Sequence, residues 1–313
     1  VRDLGDMEIA QLSRNEGVDI AVDLKGYTKD ARPGIFAFRA APVQLQYLGY
    51  PGTMGAPFID YMIADDTLIP PQSRQFYTEK IAYLPHSYQV NDCTKPISDK
   101  TQTRNELGLP DTGFVFCCFN NSYKITAVEF SIWMRLLRKV EGSVLWIMEA
   151  NATARRNVAN AAQDSGVDPD RIIFAKRLPL AEHLARHRQA DLFLDTFNYN
   201  AHTTASDALW AGLPVLTKLG RGFPARVAGS LLKAIDIPEL ITTDEKAYEM
   251  AAQELATQPG LLLSIKRKLR SNRDCKPLFD TMGFAKNIET VYQNIYSSYF
   301  NNEKLKHILT DKQ

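Results

Sequence analysis

The chain has 313 residues, 45% of them hydrophobic, enough to bury a large core and to form two domains of a usual ~100 to 200 residues. Lys plus Arg number 37 against 36 Asp plus Glu, so no bulk field favours nucleic acid or an anionic membrane, and any anion site must be local. No apolar run reaches the roughly 18 residues of a membrane helix, no signal peptide opens the chain, and Cys93, Cys117, Cys118 and Cys275 lack CxxC spacing, which points to a reduced, cytoplasmic protein.

Val1 opens the chain inside a stretch that reads as a helix, as expected of a piece of a longer protein. Strand patterns follow at residues 18–24, 43–48, 61–64 and 80–84, separated by Pro- and Gly-rich stretches such as Gly49-Tyr50-Pro51-Gly52, which require tight loops. Residues 1–107 therefore read as an N-terminal Rossmann-like lobe with an incomplete pattern. After Pro110 strand and helix alternate: strands at 114–119, 143–148, 171–175, 192–194 and 214–217, and helices at 127–140, 154–163, 180–189, 203–211 and 225–233. Helices at 244–257 and 261–271 close this lobe, taken as 108–282. A last helix at 283–299 is expected to return towards the cleft, and the polar tail from Asn301 to fray. The fold class is thus α/β, with a parallel, doubly wound sheet in the C-terminal lobe.

Ligands of such sheets sit outside the carboxyl ends of the strands, so three loops carry the chemistry. Residues 120–124 (NNSYK) place two amides and Lys124 after the strand FVFCCF, where the lysine meets a phosphate or is a plain surface lysine near a helix start. Residues 195–202 lead into Thr203-Thr204-Ala205-Ser206-Asp207, a helix start whose free amides suit a pyrophosphate, although simple N-capping uses the same amides. His202 stands there as a donor to the phosphate. Asp207, one turn on, faces ribose hydroxyls. On helix 180–189, His183 and Arg186 share a face and could stack on or bond to a base, or form a solvated face. The DxD match Asp168-Pro169-Asp170 precedes its strand and reads as a turn instead of a metal site. The sequons at Asn120 and Asn151 read as chance matches.

The segments GYTKDAR (26–32), LGYPGTMGAPFIDY (48–61), FNNSYK (119–124), RIIFAKRLPLAEHLAR (171–186) and LDTFNYNAHTTASDALWAG (194–212) together resemble the O-GlcNAc transferase family, in the family's order over nearly the whole chain. The resemblance implies two Rossmann-like lobes of GT-B type facing across a cleft. It also implies metal-independent, inverting transfer of N-acetylglucosamine from UDP-GlcNAc to Ser or Thr of a protein or peptide acceptor, with no metal or other cofactor and with tetratricopeptide repeats upstream. By position it puts diphosphate contacts on Asn121, Lys124, His202, Thr203 and Thr204, uridine contacts on His183 and Arg186, and ribose contacts on Asp207 and Leu180, the last a lysine in the animal enzymes. Leu48, Gly49, Pro51 and Tyr199 fall on the acceptor side. The SPINDLY branch, which uses GDP-fucose, lacks the His and Asp of AHTTASD, so His202 and Asp207 favour a uridine donor.

Catalysis on this reading is charge stabilisation of the departing UDP by Lys124, His202 and the helix amides. Asp23, at a strand end, is the candidate base, or only ties down the following turn. The family's first-loop His would lie upstream of Val1. Alternatives are a fragment that binds nucleotide sugar without transferring it, a related transferase using GDP-fucose or UDP-glucose, and a scaffold that docks a peptide.

Overall fold

The computed structural model describes residues 1–309. By contacts the chain divides into two compact units, Val1–Val90 with the chain from Asp280 onward, and Asn91–Phe279. In the first, helix α1 (Asp6–Asn15) leads to strand β1 (Ile20–Asp23), a short helix α2 (Gly34–Ala37), and strands β2 (Val43–Gln46), β3 (Tyr61–Ala64) and β4 (Lys80–Tyr83). The four strands are parallel in the order β1-β2-β3-β4, with Leu45, Tyr61, Ile63 and Ile81 buried in the core. The strand pattern at 18–24 shortens at both ends. Val18 and Leu24 are exposed, and the Asp23 carboxylate accepts from the N–H groups of Lys25 (2.8 Å) and Gly26 (2.9 Å), turning the chain there.

The second unit alternates strictly: β5 (Val115–Cys118), α3 (Ala127–Lys139), β6 (Val144–Met148), α4 (Ala152–Asp164), β7 (Ile172–Ala175), α5 (Leu180–Arg186), β8 (Leu192–Leu194), α6 (Thr203–Trp210), β9 (Val215–Lys218), α7 (Val227–Ala234), β10 (Ile241–Thr242), α8 (Glu245–Thr257) and α9 (Pro259–Arg273). Its strands are parallel in the order β10-β9-β8-β5-β6-β7. β10 escaped the sequence reading because two residues show no periodicity. β5 and β8 sit side by side in the middle, where the winding reverses. Local rules set the helices: Thr126 and Glu129 close a capping box on α3, which buries Phe130, Ile132, Trp133, Leu136 and Leu137. The Asn151 side chain caps α4 through the Ala154 N–H (2.9 Å).

The expected lobe boundary after residue 107 falls inside the second unit, because the segment from Asn91 is tied to α5 and α6. Ser98 donates its N–H to the Ala181 carbonyl (3.1 Å), Gln189 its amide to the Gln102 carbonyl (2.9 Å), and Trp210 its indole N–H to the Lys95 carbonyl (3.1 Å). Helix α10 (Thr281–Phe300) belongs to the first unit, where Tyr296 donates its hydroxyl to Asp19 (2.8 Å). The tail is not frayed through Leu309. Ile308 is buried and pairs in parallel with Ala82, and His307 Nδ1 accepts the Ile81 N–H (2.9 Å). Among the described residues no helix is long and apolar enough to cross a membrane.

Candidate functional site

The reversal between β5 and β8 brings two loop beginnings together, and buried polar side chains fix both. Asn120, two residues past the end of β5, accepts the Thr204 hydroxyl (2.6 Å) and donates to Thr196 (2.8 Å) and Asp195 (3.3 Å). Asp195, directly after β8, accepts from the N–H groups of Thr196 (2.8 Å) and Ala201 (2.6 Å) and from the Thr217 hydroxyl (2.7 Å). Burial pushes the Asp195 carboxyl up to about 7 despite these donors. The loop 196–201 is thereby wound into one shape and presents Tyr199, His202 and the start of α6. In the sequence reading Asn120 was one of two amides after its strand and Asp195 only the start of its loop, and neither carried a contact of its own. Their signal was positional: each is the first polar residue after one of two strands that prove to be neighbours.

On this frame Lys124 donates to the Asn200 carbonyl (2.9 Å) and lies 4.1 Å from the Tyr199 ring centroid, and His202 stacks on the same Tyr199 ring, centroids 4.8 Å apart at 21°. Among the described residues no carboxylate pairs with Lys124. Burial lowers its pKa, opposed by the charge of Asp195. Burial first and the Lys124 charge second push His202 down to about 4, so at neutral pH its imidazole is uncharged. The N–H groups of Ala205 and Ser206 return to the His202 carbonyl (both 3.1 Å), and those of Thr203 and Thr204 begin the helix with no preceding turn to bond. A lysine with no carboxylate in contact, beside free helix amides, is an anion site.

A pocket of about 420 Å³ adjoins it, lined by Phe119, Asn121, Met148, Leu178, His183 and Arg186 among others. Arg186 is 2% exposed, which sets aside a solvated helix face for it. Its guanidinium lies 4.7 Å from the Phe119 ring centroid, donates to the Lys176 carbonyl (2.6 Å) and to Met148 Sδ (3.1 Å), and makes a short contact with His183 Nδ1. Burial, then His187 and Arg186, push His183 down to about 3, so it too is neutral. Aromatic wall and flat polar groups suit a planar heterocycle.

Asp207 is 6% exposed and forms an ion pair with Lys95 (2.7 Å), a partner 112 residues away that no local pattern announces. Lys95→Met leaves this carboxylate unpaired at a site water can still partly reach, and is expected to lower unfolding stability by about 1 to 2 kcal/mol, measured by thermal or urea unfolding. Leu180 is 49% exposed and lies outside the lining of the 420 Å³ pocket. In the first unit, Leu48 has φ 71° and precedes Gly49, where a Cβ would stand 2.0 Å from the Leu24 carbonyl oxygen, so the loop with Pro51 crosses the end of β1 only with glycine there. Asp23, 5% exposed, spends one oxygen on its own turn. Asp168 accepts the Asp170 N–H (3.0 Å) in a turn before β7, at the amino ends of the strands.

The model of glycosyl transferase family 41 matches residues 5–102 and 94–288. A probable UDP-N-acetylglucosamine–peptide N-acetylglucosaminyltransferase, SEC of Arabidopsis thaliana, is 37% identical over 305 residues, covering 96% of this chain and 31% of its own length. The UDP-N-acetylglucosamine–peptide N-acetylglucosaminyltransferase of Caenorhabditis elegans is 26% identical over 415 residues, covering 97% of this chain and 36% of its own. The chain thus spans about a third of the length of these relatives. Among solved structures, a mutant of the Thermobaculum terrenum O-GlcNAc transferase superposes with a TM-score of 0.88 at 28% identity, covering 96% of this chain and 57% of that one. The two parallel sheets are those of a GT-B glycosyltransferase. Since the matched residues take in both sheets and all three strand-end loops, the chain belongs to glycosyl transferase family 41.

Proposed function

We propose that the chain is the catalytic part of an inverting, metal-independent glycosyltransferase that moves N-acetylglucosamine from UDP-GlcNAc to Ser or Thr hydroxyls of a protein or peptide. The observation that carries this is the gathering of Lys124, neutral His202 and the first N–H groups of α6 beside a pocket floored by Arg186. Family membership and the names of the plant and nematode relatives support the same donor and acceptor class.

In this reading the uracil occupies the 420 Å³ pocket against the packed cluster of Phe119, His183 and Arg186, with Asn121 at its edge, and Asp207 accepts from the ribose. Leu180 contributes little to that ribose contact. Lys124 exchanges the Asn200 carbonyl for the diphosphate, the N–H groups of Thr203 and Thr204 donate to the same oxygens, and His202 donates to them by turning its Nε2–H from the Pro224 carbonyl (3.2 Å in the free chain). The acceptor oxygen attacks the anomeric carbon opposite the diphosphate, so configuration inverts, and the charge gathering on the departing UDP falls on a site already cationic. Leu48, Gly49, Pro51 and Tyr199 are assigned to the sugar and acceptor side. Transfer of radiolabel from UDP-GlcNAc to a Ser/Thr peptide tests the reading, and UDP binding with no labelled peptide would contradict it. That outcome would favour a second reading, a lobe that binds nucleotide sugar without transferring it, which the engagement of Asp23 in its own turn supports.

Since Lys124 and the α6 amides supply the charge in this scheme, and the DxD match sits at the wrong ends of the strands, chelation by EDTA is expected to leave UDP affinity unchanged within twofold in calorimetry. Affinity lost to chelator and restored by manganese would reassign a metal role.

A further inference from the structure

Helices α5 and α6 pack against each other, and each begins beyond the carboxyl end of a strand. α5 carries His183 and Arg186 of the base pocket, and α6 opens with the N–H groups of Thr203 and Thr204. A ribose joins a base to its diphosphate, so it has to pass from one helix start to the other. The irregular segment from Asn91 runs along the same crossing. Ser98 donates its N–H to the Ala181 carbonyl in the first turn of α5 (3.1 Å). Lys95 grips α6 twice: its carbonyl accepts the Trp210 indole N–H (3.1 Å), and its ammonium stands 2.7 Å from Asp207 Oδ1. Further along, Arg188 holds the segment through the Ser98 carbonyl (3.1 Å) and the Thr101 hydroxyl (2.7 Å). Leu180, the first residue of α5, is exposed and brings no polar side-chain atom to this crossing.

The ion pair is not sealed: the side chains of Lys95 and Asp207 keep 18% and 9% of their surface open. Among the described residues each has the other as its one side-chain partner. Asp207 Oδ2 therefore has no partner, and it is not one of the polar atoms closed to water. The ammonium has two further N–H groups to give. A hydroxyl is both donor and acceptor, so a carboxylate alone takes its proton and leaves its lone pairs unused. A carboxylate with one oxygen free, held beside an ammonium with N–H groups to spare, answers both. Asp207 lies one turn past Thr203 on the same face of α6, where a sugar next to a diphosphate on the helix start would come.

We propose that Lys95 is a specificity-determining residue for the ribose of the nucleotide. A ribose hydroxyl donates to Asp207 Oδ2 and accepts from the Lys95 ammonium, and the ion pair keeps the carboxylate turned to receive it. The chain thereby selects a ribonucleotide over a deoxynucleotide through a residue that belongs neither to the base pocket nor to the diphosphate contacts. The proposal rests on the reading of UDP along these strand ends.

Calorimetric titration of the unaltered chain and of Lys95→Met with UDP, 2′-deoxy-UDP and 3′-deoxy-UDP tests it. With the unaltered chain at least one deoxy analogue is expected to bind about tenfold more weakly than UDP. In Lys95→Met the same gap should shrink to about threefold or less, because the hydroxyl loses its donor and the carboxylate its orientation. UDP still binds that variant, since Lys124 and the α6 amides are untouched. A lysine that only braced the fold would weaken UDP and its analogues by one common factor. An unchanged gap in Lys95→Met, or equal binding of all three ligands by the unaltered chain, therefore overturns the proposal and leaves the nucleotide reading standing. No saturable binding of UDP overturns both. If Lys95→Met fails to fold, the Lys95 ¹⁵Nζ resonance of the unaltered chain, assigned through its bonds, decides. A saturable shift with UDP that one deoxy analogue fails to reproduce at saturation supports the contact, and no shift with UDP, or the same shift with both analogues, overturns it.

Discussion

Lys124→Ala is expected to weaken UDP binding by roughly 1.5 to 3 kcal/mol, about ten- to a hundredfold, the range of a hydrogen bond between charged groups. In the free chain the ammonium has only a backbone carbonyl and the face of Tyr199 as company, and burial already disfavours its charge. A diphosphate relieves that cost, so the gain on binding is larger than for an exposed lysine. The fold should survive the change, because the loops around Lys124 are held by Asn120 and Asp195. Calorimetric titration of both proteins, with unfolding curves as control, measures this. An unchanged affinity with an intact fold would confine Lys124 to its contacts with Asn200 and Tyr199.

The second large effect is on stability as a function of pH. His183, His187 and His202 are held neutral by burial, at about 3, 4 and 4 against an ordinary 6.5. Below 6.5 the unfolded chain binds protons that the folded chain refuses, so these three groups lower stability as pH falls from 6.5 towards 4. Asp195 acts the other way. Its folded value of about 7 lies above the unfolded 3.8, so the folded form takes the proton first and gains stability over the same fall in pH. Between pH 7 and pH 5 the three histidines cost about 5 to 6 kcal/mol and Asp195 returns about 2, a net loss of roughly 3 kcal/mol. Urea unfolding at the two pH values should show it. Equal stabilities would mean that the imidazoles are not withheld from water as the structure has them.

The second unit was legible from sequence because its strands are continuous apolar runs separated by amphipathic helices, and the loops at the carboxyl ends of the strands follow from strand direction alone. Lys124, His202, Thr203 and Thr204 could be found that way, and they do lie around one helix start. What could not be read were pairings across the sheet and those of the irregular segment that starts at Asn91. Nothing in the sequence placed Asn120 beside Asp195, since β5 and β8 become neighbours only through the reversal of winding. Lys95 sits in an irregular segment, and its ion pair with Asp207 depends on where that segment crosses α6. For Arg186 the sequence left a base contact and a solvated helix face both open, and its burial decides against the second. Two further misreadings were of ends: β10 is too short for a pattern, and the polar tail hides Ile308, whose single apolar side chain is enough to seat it beside β4.

The central claim, that the strand-end site of the second unit is built for a uridine diphosphate, is tested most directly by calorimetric titration of the chain with UDP and with GDP under one set of conditions. Saturable binding of UDP at least tenfold tighter than GDP is expected, because the 420 Å³ pocket with Arg186 and neutral His183 receives the smaller base while the diphosphate contacts are common to both. Equal or reversed affinities would contradict it.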